Sequence, residues 1–385
     1  MFDLPDVITG THVRLCLDCG KCTVVCPVAQ YDHGFNPRLI VQGALRNHSQ
    51  SPVNEQVWSC LGCNMCVERC NYHVKFTDFI IALRQKGLAD GAEVQYSHGG
   101  ATQSIMHIMA HQDMKQNRMN WLPSDIEVHD TSDTAFFVGC APYFDTLFAD
   151  LGVATTDGSK GALKLLNHAR IDFTMLSNER CCGRDLLLMG DIKGFMTLAQ
   201  ANQAEFNEHG IKSIITSCPE CYYTLKTDYP RFLSGWSVNV QHITEVIAPF
   251  LEARTLNLGT LKRKVTYQDP CTLGRYSRIF EQPRRILNSI DGLEVVEMKD
   301  NREKALCCGA SPWVHCGSTN KQIQKERLAQ ARDTGADLLV TACPKCQIHL
   351  KCAQKNSEGN NVCQIEVQSL YSLAAQSLAP SEVRS

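Results

Sequence analysis

Gly210-Ile-Lys-Ser-Ile-Ile-Thr-Ser-Cys-Pro-Glu-Cys221 returns, position for position, as Gly335-Ala-Asp-Leu-Leu-Val-Thr-Ala-Cys-Pro-Lys-Cys346. Each copy opens on a glycine suited to the left-handed position that closes a helix, and the preceding stretches, about 191–209 and 319–334, read as helices. A short apolar run follows and reads as a buried strand, and two cysteines in a Cys-Pro-x-Cys turn come directly after it. Ala135–Val138 and Val265–Tyr267 are further apolar runs of the same kind, and a Cys-Cys-Gly triplet precedes each copy, at Cys181-Cys182-Gly183 and Cys307-Cys308-Gly309. Strand–helix–strand alternation with this duplication predicts two α/β lobes with parallel sheets, related by an approximate two-fold axis. The thiols then stand at the carboxyl edges of the sheets, where open α/β sheets hold their ligands.

Working outward, each lobe offers five cysteines in one order. They are Cys140, Cys181, Cys182, Cys218 and Cys221 in the first, and Cys271, Cys307, Cys308, Cys343 and Cys346 in the second. Five donors exceed the four a cubane needs, which permits a bridging thiolate and a more open arrangement of irons. The glycine after each cysteine pair removes a side chain where backbone must pass close to a bulky centre. Vicinal cysteines also build strained disulfides or thiol redox pairs, and zinc is a further alternative in each lobe.

Nearer the start lie two more runs, Cys16-x-x-Cys19-x-x-Cys22-x-x-x-Cys26-Pro27 and Cys60-x-x-Cys63-x-x-Cys66-x-x-x-Cys70-Asn71. Three thiolates within seven residues wrap one corner of a cuboidal cluster, and in two-cluster ferredoxins the fourth cysteine of each run serves the other cluster. Cys16, Cys19, Cys22 and Cys70 are therefore assigned to one [4Fe–4S] cubane, and Cys60, Cys63, Cys66 and Cys26 to the other. Zinc modules want two pairs rather than two sets of three plus one. Of 21 cysteines, 18 fall into these four groups. Cys316, Cys352 and Cys363 belong to none and read as inert thiols.

The chain divides into a helical ferredoxin-like domain (1–90), a helical connector and linker (91–133), a first lobe (134–256) and a second lobe (257–385). Phe76, Phe79, Ile80 and Leu83 predict a helix with Thr77 as its N-cap and Gly87 as its end. A second helix is expected over 101–119, with Ile105, Ile108 and Met109 on one face. Across 385 residues, 44% hydrophobic and 20% charged content is ordinary for a globular protein, and a net charge of −2 speaks against nucleic acid or an anionic membrane surface as partner. No apolar run approaches a membrane span, and the opening residues lack a secretory signal, so a cytoplasmic protein with reduced thiols is expected. No G-x-G-x-x-G follows a strand and no G-x-x-x-x-G-K-[ST] occurs, so no flavin or nicotinamide site is expected.

The double Cys-Cys-Gly module resembles the catalytic subunit of heterodisulfide reductases and the iron–sulfur subunits of glycolate, lactate and anaerobic glycerol-3-phosphate oxidising enzymes. The N-terminal part, with Phe35-Asn36-Pro37-Arg38 between the runs and Trp58 before the second, is similar to the small ferredoxin-type subunit of heterodisulfide reductase. The chain thus looks like a fusion of the two. The resemblance implies an α+β protein in which a helical 2[4Fe–4S] domain precedes two pseudo-symmetric lobes, each with a non-cubane [4Fe–4S] cluster. It also implies an electron-transfer subunit working between a flavin-containing partner, other redox subunits and a small disulfide or thiol substrate. The alternative is a non-catalytic relay in a larger complex: flavin-based bifurcating, ring-reducing, or quinone-linked. His315 and Lys345, beside cluster motifs, are candidate proton donors or ordinary supporting residues.

Overall fold

Two parallel sheets carry the second and larger part of the chain. In a computed structural model, residues 4–46, 56–310, 312–355 and 363–378 are described. The first lobe holds β1 (Thr134–Phe137), β2 (Ser213–Thr216) and β3 (Asn239–His242) in the order β1-β2-β3. The second holds β4 (Thr260–Gln268), β5 (Asp291–Val295), β6 (Leu338–Thr341) and β7 (Glu366–Ser369) in the order β5-β4-β6-β7. All pairings are parallel, with Phe136 beside Ile215 and Tyr267 beside Val340. The two sheets match strand for strand once β5 is set aside, and its counterpart is reduced to a single parallel bridge between Ala135 and Thr174.

The predicted helices before the repeats form at Ile192–Glu208 and Ser318–Arg332, and each is followed by a left-handed glycine, Gly210 at φ 64° and Gly335 at φ 67°. The lobes exchange their last helices. Ile243–Glu252, which ends the first lobe, packs on Glu281–Asn288 of the second, and Leu370–Gln376, which ends the second, packs on Thr155–His168 of the first. One apolar core therefore runs through both lobes, joining Phe136, Leu166 and Ile214 to Tyr267, Leu273 and Leu373.

The N-terminal domain is a set of short helices whose core is continuous with the outer face of the second lobe, where Trp58, Phe79 and Leu83 share a cluster with Ile323, Leu328 and Leu350. Two helix readings are corrected. The helix at Phe76 runs to Ala89 with Gly87 buried inside it, and Thr77 lies within the first turn, its hydroxyl on Asn64 Oδ1 at 3.2 Å. The next helix is only Ala101–Met109, and Ile108 is exposed while Gln103 is buried. Its polar residue faces inward because Gln103 Nε2 donates to the Pro312 carbonyl at 3.0 Å. No described helix is long and apolar enough to cross a membrane.

Candidate functional site

The N-terminal runs are repeated in backbone as well as in sequence. Asp18 and Gly20 in the first run, and Gly62 and Asn64 in the second, all have positive φ at equivalent places between the cysteines. Alternating right- and left-handed residues turn successive N–H groups into one concavity, a backbone arrangement that suits anionic Fe–S centres. Cys26, Cys60, Cys63 and Cys66 line one cavity together with Phe35, Leu61, Met65 and Phe76. These are the four side chains expected to act together. In the first run Cys16 and Cys22 are half-buried neighbours, Cys19 is exposed, and Cys70 is half-buried.

In the lobes the sulfurs form two equivalent rows. Cys140 Sγ lies 3.0 Å from Cys181 Sγ, and the contacts continue through Cys182 and Cys221 to Cys218. The second row runs Cys271, Cys307, Cys308, Cys346 and Cys343 in the same order. The first row lines one cavity, and Cys271, Cys308, Cys343 and Cys346 line the other. The expected role of the glycines shifts. A Cβ on Gly183 would strike the Phe195 ring at 2.8 Å and one on Gly309 the Asn320 carbonyl at 2.9 Å, so both serve helix packing and a left-handed turn. Gly139 is the glycine that faces sulfur, since its Cβ would stand 2.7 Å from Cys221 Sγ.

Supporting side chains come from distant segments. Glu179 accepts from the Gly139 and Val138 amides at 2.8 and 3.2 Å and from Arg118 at 2.8 Å, which fixes the strand end before Cys140. In the second lobe Arg284 grips Asp269 through both oxygens at 2.8 and 2.9 Å, just before Cys271. The rows approach one another at the lobe interface, where Cys218 lines a cavity with Ala342 and Pro344, the neighbours of Cys343. Between the two cavities stands a buried charged wall. Lys345 Nζ donates to Asp185 at 2.6 Å and Glu220 at 3.1 Å, the Trp313 indole donates to Asp185 at 3.1 Å, and Arg184 pairs with Asp228 at 2.6 Å. Arg184, Glu220 and Lys345 line both cavities. Of the two flagged proton-donor candidates, Lys345 is thus deeply buried in ion pairs, while His315 is half-buried on a neighbouring turn. Cys352, among the ungrouped thiols, accepts from Lys321 Nζ at 3.0 Å.

The N-terminal domain reaches the second row directly. Cys63 and Cys307 are in side-chain contact, and that contact, together with Arg275, holds the Cys63 thiol down at about 6 despite burial. Burial first, and crowding by other sulfurs next, pushes the Cys66 thiol well above the usual range. Thiolates this close repel one another unless positive charge lies among them. Two buried guanidiniums also flank this site, Arg84 beside Cys60 and Arg275 beside Cys63. A buried cation is costly without a counter-charge. Crowded soft donors, N–H concavities and flanking guanidiniums together fit an anionic iron–sulfur centre. The sequence reading missed Asp185, Glu220, Arg84 and Arg275. One signal was available, because Glu220 and Lys345 occupy the same variable position of the two Cys-Pro-x-Cys motifs with opposite charge.

Comparison with known proteins agrees with this architecture. Residues 134–226 and 265–351 each match the cysteine-rich domain family, and residues 12–74 match the 4Fe-4S dicluster domain. The D subunit of the dihydromethanophenazine:CoB–CoM heterodisulfide reductase of Methanosarcina barkeri is 27% identical, over 95% of this chain and 94% of that one. Its counterpart in Methanosarcina acetivorans is 28% identical with the same coverage. The EtfAB:quinone oxidoreductase of Syntrophomonas wolfei is 26% identical over 86% of this chain, which spans 54% of that longer protein. Among solved structures, a hypothetical protein from Helicobacter pylori shares the fold with a TM-score of 0.54 at 13% identity, over 89% of this chain and 64% of that one. The chain is therefore an iron–sulfur oxidoreductase subunit related over most of its length to the heterodisulfide reductase D subunit, with a 4Fe-4S dicluster domain ahead of two cysteine-rich domains.

Proposed function

We propose that the chain passes electrons between a flavin-containing partner and a disulfide or thiol substrate, as the iron–sulfur subunit of a heterodisulfide reductase-like complex. Cys16, Cys19, Cys22 and Cys70 would hold one cubane [4Fe–4S] cluster, and Cys26, Cys60, Cys63 and Cys66 a second. The two five-cysteine rows would hold non-cubane [4Fe–4S] clusters. Such clusters supply one-electron steps; the protein spaces, insulates and tunes them. The observation that carries this reading is that both rows are complete and ordered alike and approach one another at the lobe interface. The Cys63–Cys307 contact would then link the N-terminal cysteines, of which Cys19 is exposed, to the second row. The relatives from Methanosarcina, named for heterodisulfide reduction, support the same substrate class.

The test is anaerobic purification, iron and sulfide quantification, and EPR of the reduced protein before and after addition of low-molecular-weight disulfides. Reoxidation with a changed EPR signal is expected. Iron-loaded protein whose signals no disulfide or thiol alters would overturn the catalytic part. A relay reading has support of its own, since the ion-paired Lys345 and Glu220 line both cavities. It predicts stable co-purification with flavin-containing subunits and no response to small disulfides.

A further inference from the structure

The buried cations of this molecule differ in their partners, and two of them, Arg180 and Arg327, bond the carbonyl oxygens of Met114 and of Asp300, Gln268 and Gln330 rather than a carboxylate. Arg118, Arg184, Arg284 and Lys345 each hold at least one carboxylate. Arg84 and Arg275 bond only backbone carbonyls among the described residues. Arg84 donates to the carbonyls of Val57, Leu188, Trp58 and Cys60, and Arg275 to those of Cys63, Ala305 and Glu303. Arg275 is 2% exposed, and its Nη2 is buried with no hydrogen-bond partner. The π-helical turn Thr272–Tyr276, directly after Cys271, sets the side chain between two domains. The groups it faces are the sulfurs of Cys63, Cys271 and Cys307 and the Tyr276 ring, with Arg327 beyond. An arginine stays charged at any accessible pH, so this is a fixed positive charge in a low-dielectric junction.

We propose that Arg275 is a positioning residue for electron transfer, whose fixed charge stabilises the added electron on both sides of the Cys63–Cys307 contact and makes that contact the crossing from the N-terminal domain to the second lobe. The inference rests on the reading that these thiols hold iron–sulfur clusters. The step is the movement of one electron, with no bond made or broken. Charge and hydrogen bonding around the sulfurs are what set such potentials, and a cation nearby favours the more negative, reduced state. Arg275 is bonded to the Cys63 carbonyl and lies near the sulfurs of Cys271 and Cys307, so it should lift the potentials of both sites. Arg84, which reaches only the Cys60 side, should lift one. Electrons would then enter the lobe pair at the second lobe and reach the first through Cys343 and Cys218.

The experiment is an EPR-monitored redox titration of the full-length protein and of Arg275→Gln, Arg275→Lys and Arg84→Gln, with dithionite as reductant and iron and sulfide counted in each. In Arg275→Gln the reduced-to-oxidised ratio of both centres at fixed potential should fall about tenfold, ~59 mV for one electron. Arg275→Lys, which keeps the charge but not the planar fork, should stay near the parent. Arg84→Gln should shift the N-terminal centre alone. Equal shifts in the Gln and Lys variants, or none in an iron-replete Arg275→Gln, overturn the proposal. If Arg275→Gln loses its iron, Arg275→Lys decides, and a shift of either centre there overturns it. Parent protein without iron overturns the cluster reading instead, and the iron count tells the two failures apart.

Discussion

Lys345 is a buried residue at which two repeats that agree in sequence pattern differ in charge. Its partner at the equivalent position is Glu220, and the approximate symmetry brings the two side chains within 3.1 Å. At 3% exposure Lys345 has left water entirely, and Asp185 and Glu220 keep it charged against the burial that opposes it. Such a cluster contributes modest net stability when complete, but breaking it leaves uncompensated charge inside. Lys345→Met should therefore cost about 3–5 kcal/mol. Anaerobic denaturant unfolding checks this, and adding Asp185→Asn and Glu220→Gln to the same chain should recover most of the loss.

At the scale of elements, the exchanged helices decide how the lobes sit. The helix Leu370–Gln376 approaches Thr155–His168 closely because the latter carries glycines on the contact face. A Cβ at Gly161 would fall 2.4 Å from the Tyr371 carbonyl oxygen, and one at Gly158 would fall 2.8 Å from Ser369 Oγ. The first obstacle is backbone, which has no rotamer to move away in. Gly161→Val should separate the helices and destabilise the lobe pair by about 1–3 kcal/mol through overpacking. Gly210 makes a useful comparison, because a Cβ placed there would meet nothing within 4 Å. Its alanine variant should show only the smaller cost of a left-handed residue. Thermal unfolding of the two variants distinguishes a crowded interface from simple backbone strain.

Across the whole molecule, stability should depend on pH through His242. It lies at the end of β3, hydrogen-bonds Thr244 at 2.8 Å, and meets Tyr371 of the exchanged helix at 3.3 Å, so it links the lobes. Burial lowers its pKa from the ordinary 6.5 to about 3, which keeps the ring neutral in the folded protein. Between these values the unfolded chain takes up a proton that the folded chain refuses. The stabilisation is present above pH 6.5 and is lost as pH falls towards 3, with a slope of up to ~1.4 kcal/mol per pH unit from this group. Unfolding midpoints measured at intervals from pH 7.5 to 4.5 should fall, and His242→Gln should flatten the decline. An unchanged decline in that variant would assign it to other groups.

The local sequence determined the cysteine groups, the duplication, the four apolar strands and the left-handed glycines that end two helices, because each is written in spacing and residue type within a few residues. The edge strands β3, β5 and β7 were not legible. Asn239-Val-Gln-His242 and Glu366-Val-Gln-Ser369 carry alternating polar side chains, and partners across the sheet rather than local pattern make them strands. Tertiary structure alone decided which sulfurs meet between domains, the wall around Lys345 and the unpaired charge of Arg275. Those contacts join residues far apart in the chain, such as Cys63 and Cys307. Their energies depend on burial and on which charges face one another, quantities that exist only once the domains have packed.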